Sequence, residues 1–225
     1  VYTARSLSYA GVEYDILEHA LTPAQIADFD AWSEAWSVIH RNMETALAAS
    51  GVVDPLEGKT LNGPALAAAR SRFQSSVQRF FGQLLLAMKL PTLLPAIQDA
   101  LDNGMSAVIQ LVSTSEALLD RRLADLDADE RAELSIDLSP RELCLSYLQN
   151  AFPTRAMESF FDDDGNERSR PLLDEAGNPV ACAEAERIRD AMIELLGALP
   201  PIAPALDAII TRFGADAVAE VTGRT

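Results

Sequence analysis

Ser113 and Thr114 are the residues of this sequence whose types and position best suit the binding of an anion. They follow residues 107–112, a short, apolar, β-branched segment that predicts a strand buried on both faces. The next helix is predicted to begin directly after them, at Glu116. Helix N-termini offer unpaired amide groups, and hydroxyls add donors, so this position favours a phosphate. The alternative is that both residues only cap the helix.

A second candidate surface is basic. The whole chain carries 34 acidic and 18 basic residues, a net charge of −16, yet no Asp or Glu occurs from Gly58 to Gln98. A basic helix in an acidic protein is typical of a strip that faces phosphates, or of one that pairs with acidic neighbours. The sequence leaves both interpretations open. The basic residues of this stretch are Lys59, Arg70, Arg72, Arg79 and Lys89.

Two other familiar kinds of binding site are excluded because the residues that they need are not at the required spacing. Residues 58–60, Gly-Lys-Thr, resemble the end of a phosphate loop, but Val53 stands where the loop needs its first glycine. The acidic residues 162–167 lack the glycine and glutamate positions of an EF-hand, so they predict a solvated turn. Cys144 lies among leucines and is predicted to be core. No catalytic residue, metal site or cofactor site is predicted for this chain.

Helices and one hairpin must position these residues. Thr22, Pro23 and Gln25 form a capping-box pattern at the start of a long helix. Trp32 and Trp36 recur on its apolar stripe and are interpreted as core, with an interface anchor as the alternative. The predicted helices cover residues 22–49, 64–88, 92–102, 116–126, 139–152, 182–198 and 204–213. A hairpin with two Gly-Asn turns covers 160–180, residues 11–18 are β-compatible, and a last strand covers 217–221.

Composition limits the classes of protein. The chain has 225 residues, of which 48% are apolar, enough for one large domain or two small ones. This excludes wholesale disorder, and the acidic balance excludes a basic nucleic-acid coat. The two cysteines fit a reducing compartment, and no apolar run predicts a membrane span, so a cytoplasmic location is expected. The first residue is Val1 and a strand is predicted near the last, so we expect a piece of a longer protein.

Several segments, in order and spacing, resemble the C-terminal helicase region of bacterial strawberry notch-like proteins, a superfamily 2 helicase-like family often described as methylase/helicase. Each segment alone is modestly specific, but their order and spacing together are distinctive, and they extend over nearly the whole chain. The matching segments are residues 7–19, 21–25, 88–92, 108–114, 118–123, 147–153, 164–171, 177–179 and 213–224.

This resemblance implies an α/β fold, namely a partial RecA-like second helicase lobe that is rich in helix and carries a helical and β-hairpin insertion. The lobe would begin in residues 1–126, the insertion would cover 127–200, and the truncated core would return in 201–225. Lys89, Ser113, Thr114 and Arg224 are the candidate nucleic-acid contacts.

The resemblance also implies that the parent protein uses ATP and Mg²⁺. Its nucleotide loop and magnesium motif belong upstream, and its glycine-rich motif and arginine finger belong downstream of Arg224. Since ATP hydrolysis needs these parts together, the chain alone is expected to be inactive. Expected partners are nucleic acid and the first helicase lobe, with no membrane. The alternative function is a protein-interaction module that docks a partner through its helices, its insertion and the two tryptophans.

Overall fold

The computed structural model describes residues 11–111 and 139–219. Within these ranges the chain is rich in helix and has one small antiparallel sheet, which is compatible with the α/β class. The helices are α1 (Pro23–Ala49), α2 (Gly63–Met88), α3 (Leu90–Asp102), α4 (Pro140–Asn150), α5 (Ala183–Leu196) and α6 (Ala205–Phe213). The strands are β1 (Met157–Phe161) and β2 (Glu167–Pro171).

The helix ends follow local capping signals. The Thr22 hydroxyl accepts a hydrogen bond from the Gln25 amide at 3.2 Å, and the Gln25 side chain accepts one from the Thr22 amide at 2.9 Å. The predicted capping box at the start of α1 is therefore confirmed. Helix α2 begins at Gly63, where the Asn62 side chain accepts from the Ala65 amide at 3.0 Å.

Four of the helices form the main core. Helix α1 packs beside α2 and α5, and α4 packs beside the same two helices, so the four close into a ring. Trp32 and Trp36 lie at its centre, with only 0% and 3% of their surfaces exposed. Their interpretation as core is confirmed. The hypothesis that they dock a partner is wrong, because side chains of this chain already surround both rings.

This core joins residues from both sides of the predicted boundary between 126 and 127. Trp36 contacts Phe73 and Phe80 of α2 as well as Tyr147 of α4, with ring centroids 5.5 to 5.7 Å apart. The residues of α4 and α5 in the same cluster are Cys144, Leu148, Ala185, Met192 and Leu196. The division into 1–126, 127–200 and 201–225 stays a prediction.

A smaller cluster lies where α2 ends. Leu90 of α3 packs with Ala205 and Ile209 of α6, and Leu86 of α2 lies against them. This cluster supports the junction between α2 and α3, at which the two helix axes bend by 52°.

The hairpin predicted over 160–180 is confirmed with different bounds. Strands β1 and β2 pair from Met157 with Pro171 to Phe161 with Glu167, and the second predicted turn follows β2 inside a bridge between Leu173 and Pro179. The two turns are built alike: Asp162 accepts from the amide of Asn166, and Asp174 accepts from that of Asn178, each at 2.8 Å. The hairpin attaches to the loop between α1 and α2, because the Ser169 amide donates to the Leu61 carbonyl at 3.1 Å.

Two strand predictions are wrong where the structure describes them. Residues 105–111 have no regular structure, and Val108 is 98% exposed. An apolar β-branched segment forms a strand only if a neighbouring strand accepts and donates its backbone hydrogen bonds, and no such neighbour lies beside it within 11–111 and 139–219. Residues 217–219 likewise form no strand, and the β-compatible residues 11–18 are not paired.

Several predictions fall outside the described residues. These are the helix at 116–126, the end of the last strand at 220–221, and the candidate contacts Ser113, Thr114 and Arg224.

The lengths and compositions of the helices bear on membrane crossing. In the described part of the chain, no helix by itself is both long and apolar enough to span a bilayer. The consecutive helices α2 and α3 meet these criteria when taken together, although they are bent by 52°.

Candidate nucleic-acid interface

Lys89 is the one sequence-predicted contact that the described residues contain, and it lies between α2 and α3. Its side chain is exposed. Its amide donates to the Leu86 carbonyl at 3.2 Å, and its own carbonyl accepts from the amides of Thr92 and Leu93 at 3.1 and 3.0 Å. Lys89 therefore ends one helix and caps the next. Pro91, in the first turn of α3, has no backbone N–H and suits a position where no helical carbonyl would accept one.

Side chains from outside the junction hold it together. The Gln25 side-chain amide donates to the Met88 carbonyl at 2.7 Å, and so occupies one of the last carbonyls of α2. His19 links Gln25 to Thr92: its Nε2 lies 3.0 Å from Gln25 Oε1, and its Nδ1 lies 2.6 Å from Thr92 Oγ1. The segment before α1 is thereby tied to both sides of Lys89.

The sequence does not indicate this network. The capping-box pattern accounts for the Gln25 backbone amide and its side-chain oxygen, but not for its side-chain NH₂ group. His19 and Thr92 are 73 residues apart, so no spacing rule relates them. The capping motif indicated where Gln25 lies, but its contact with α2 depends on how α1 and α2 pack.

The sequence left open whether the basic residues of α2 and the adjoining Lys89 pair with acidic neighbours or face phosphates, and the structure shows that they do not all behave alike. Arg70 Nε lies 3.2 Å from Glu44 Oε1 on α1, so this arginine pairs with an acidic neighbour. Arg79 donates to the Ser75 carbonyl of its own helix at 3.2 Å. Arg72 and Lys89 form no salt bridge within the described ranges.

The helical geometry gathers three of these cations on one face. At 100° per residue, Arg72 and Arg79 lie about 20° apart around the helix, and continuing the same turn places Lys89 about 80–100° from them. Lys89 lies opposite the apolar stripe, whereas the two arginines flank it. The stripe comprises Phe73, Phe80 and Leu84. The three cations are exposed, whereas those three apolar side chains are buried. At 1.5 Å per residue, the row from Arg72 to Lys89 extends about 26 Å. We call this set the basic face of α2.

The other sequence candidates adopt ordinary structural roles. Gly58 donates its amide to the Asp54 carbonyl at 2.9 Å, so the turn that contains residues 58–60 is closed on itself. Burial raises the pKa of the Cys144 thiol, which keeps it protonated and unsuited to nucleophilic attack.

The acidic turn at 162–166 is the solvated hairpin turn that the sequence predicts. Asp162 accepts hydrogen bonds from the Asn166 backbone and the Arg168 side chain, and these lower the pKa of its carboxyl group. No group of three or more His, Cys, Asp or Glu side chains in the described ranges is arranged to hold a metal ion.

Comparisons with known proteins find similarity to proteins that are much longer than this chain. The chain is 34% identical over 159 residues to mouse "Protein strawberry notch homolog 2", which covers 68% of this chain and 10% of that protein. It is 29% identical over 156 residues to "Protein FORGETTER 1" of Arabidopsis thaliana, covering 68% and 11%. It is 25% identical over 185 residues to human "Protein strawberry notch homolog 1", covering 82% and 12%.

The chain is thus homologous to strawberry notch proteins over about 70% of its length. It spans about a tenth of the length of the curated relatives it matches. No protein-family model matches it. No solved structure matches it either.

Proposed function

We propose that this chain is part of the C-terminal motor lobe, RecA-like in fold, of an ATP-dependent superfamily 2 helicase-like protein acting on DNA in the bacterial cytoplasm. The relationship to strawberry notch proteins supports a helicase-related role. The observation that carries the proposal is the basic face of α2 in a chain of net charge −16. Arg72 and Arg79 are exposed on a helix without carboxylates, and the exposed Lys89 follows directly after its end.

In this proposal the basic face contacts the phosphate backbone. Cations placed along a phosphate backbone displace its counterions, which favours binding without sequence preference. Ser113, Thr114 and Arg224 are proposed to add contacts of the same kind. The rest of the surface contributes to the interface with the first helicase lobe.

We assign ATP and Mg²⁺ to parts of the parent protein outside this chain. The described residues do not fit either group, since the glycine turn at 58–60 uses its amide internally and no acidic set is arranged for a cation. No catalytic step is therefore derived for this chain.

The alternative is a non-catalytic module that docks a partner protein. Its supporting observation is the apolar surface outside the core: Met105 is 56% exposed, Val108 is 98% exposed, and Phe161 on the hairpin is 73% exposed. An apolar docking face predicts binding that depends little on salt, whereas phosphate contacts predict a steep dependence.

The test is fluorescence anisotropy of labelled DNA duplexes against this chain, titrated with salt. Removing a phosphate contact is expected to weaken binding and to lower the slope of log K against log salt by about 1. Arg72→Ala and Lys89→Ala should show this. Arg70→Ala is the matched control, because it removes the same charge from the same helix but lies in the pair with Glu44. Equal effects of Arg72→Ala and Arg70→Ala, or salt-independent binding, would refute the proposal.

A further inference from the structure

We propose that His19, Gln25 and Thr92 are positioning residues for Lys89, and we call these three side chains the junction clamp. This inference rests on the proposed function, since it concerns the orientation of one of its phosphate contacts. The geometry of the clamp does not depend on that function, because hydrogen bonds between described residues link its three side chains and join them to Met88.

The donor and acceptor roles in the clamp are determined by chemistry. The Gln25 NH₂ group donates to the Met88 carbonyl, so the Gln25 oxygen is the atom that faces His19. An amide oxygen can only accept, and therefore His19 Nε2 carries the proton. In neutral His19 the other ring nitrogen, Nδ1, must then accept, and the Thr92 hydroxyl donates to it.

The hydrogen bonds consequently run in one direction across the junction. Thr92 donates to His19, His19 donates to Gln25, and Gln25 donates to Met88. Met88 and Thr92 lie on either side of Lys89, so the clamp spans the bend where Lys89 joins the two helices. A side chain's direction follows from its backbone, and fixing the bend fixes the direction in which Lys89 leaves the chain.

This arrangement matters because Lys89 stands at the end of the basic face of α2. Arg72 and Arg79 are held in register by the helix itself, whereas Lys89 lies one residue beyond its last turn. The backbone of Lys89 is already bonded to Leu86, Thr92 and Leu93. The clamp adds side-chain hydrogen bonds that fix the bend between the two helices. Loss of the clamp should therefore weaken DNA binding through Lys89 alone.

Thr92 allows the sharpest test. Thr92→Val removes the hydroxyl at nearly constant volume, and Thr92→Ser keeps it. We expect Thr92→Val to lower DNA affinity about threefold, consistent with the loss of one hydrogen bond, and Thr92→Ser to retain wild-type affinity. Thr45→Val, which removes an exposed hydroxyl of α1 that bonds only to its own helix, is the control and should bind normally.

A double-mutant cycle separates positioning from a structural role. If the clamp acts through Lys89, Lys89→Ala with Thr92→Val should bind DNA no more weakly than Lys89→Ala alone. Additive losses, or a Thr92→Val variant that is less stable yet binds normally while folded, would overturn the proposal.

The clamp has its own readout besides binding. Nitrogen NMR of the neutral His19 ring should show the proton on Nε2 and an acceptor at Nδ1, and Thr92→Val should change the Nδ1 signal. A neutral ring that carries its proton on Nδ1 would show that the clamp is wrong. If the expected tautomer is present but Lys89→Ala binds DNA with wild-type affinity, then Lys89 is not a phosphate contact. The proposed function of Lys89 and the positioning role of the clamp would then both fail.

Discussion

Trp36 of α1 and Tyr147 of α4 lie in contact in the core, with ring centroids 5.7 Å apart. The pair crosses a gap of more than one hundred residues in the sequence, and it includes the tyrosine whose hydroxyl lies 3.3 Å from Met43 Sδ. Burial raises the pKa of Tyr147, so this phenol stays neutral. The contact makes the helices before residue 111 and those after residue 139 depend on one another.

Trp36→Ala is therefore expected to destabilise both groups of helices together. Removal of a buried aromatic ring from a packed core costs about 3–5 kcal/mol. Urea unfolding followed by circular dichroism and by Trp32 fluorescence should show one coincident transition at lower urea. Leu56→Ala, at a residue that is 94% exposed, should change the free energy of unfolding by at most about 0.5 kcal/mol. Two separate transitions in the wild type would contradict the shared core.

The capping box makes a second prediction. Thr22→Ala should lower the free energy of unfolding by about 1 kcal/mol, because the Gln25 amide loses its acceptor. Thr45→Ala removes a threonine hydroxyl from the interior of the same helix and should be nearly neutral. Equal losses in both variants, measured by thermal or urea unfolding, would show that the cap contributes nothing specific.

Two glycines should respond to alanine with opposite signs. Gly51 has φ +81°, and an added Cβ would lie 3.3 Å from the Met157 carbonyl oxygen, so Gly51→Ala should destabilise by about 1–2 kcal/mol. Gly82 is inside α2 with nothing within 4 Å of an added Cβ, so Gly82→Ala should stabilise by about 0.5–1 kcal/mol. The measurement is calorimetric melting of the two variants. A Gly51→Ala variant more stable than Gly82→Ala would refute this account.

The acidic turn predicts a pH dependence of the hairpin. The Asn166 amide and Arg168 favour the ionised carboxylate of Asp162, so its pKa is lower in the folded chain than in the unfolded one. The resulting stabilisation is complete above the ordinary aspartate pKa of about 3.9 and is lost as the pH falls through the lowered value. NMR titration of hairpin amides should show this loss in the wild type. Asp162→Asn should remove it, whereas Asp163→Asn should leave it unchanged.

Local signals predicted the helices well because their causes are local. The Thr22–Gln25 cap, Pro140 at the start of α4 and Gly214 after α6 act within one helical turn, and each boundary lies where the sequence predicts. The hairpin turns are local for the same reason. Side chains of Asp162 and Asp174 bond to amides only two and four residues ahead.

The wrong or missing predictions concern contacts between residues that are far apart in the sequence. The composition of residues 107–111 indicates a strand, yet a strand also needs a neighbour, which composition does not identify. Arg70 and Arg72 look equivalent in sequence, and only the packing of α1 against α2 brings Arg70 to Glu44. The contact between His19 and Thr92 depends on the same packing. The sequence therefore indicates Lys89 as a candidate contact, which stays a prediction, and does not indicate the residues that surround it.

The exposed segment after α3 has a practical consequence for work with the isolated chain. Residues 105–111 are seven consecutive residues without charge, proline or glycine, and the β-branched Val108 and Ile109 are among them. Segments of this kind stack strand on strand between copies. Slow growth of turbidity, rather than the melting temperature, should therefore set the highest concentration at which the chain can be stored. A single charge at the most exposed position, Val108→Lys, should raise that concentration without altering the core.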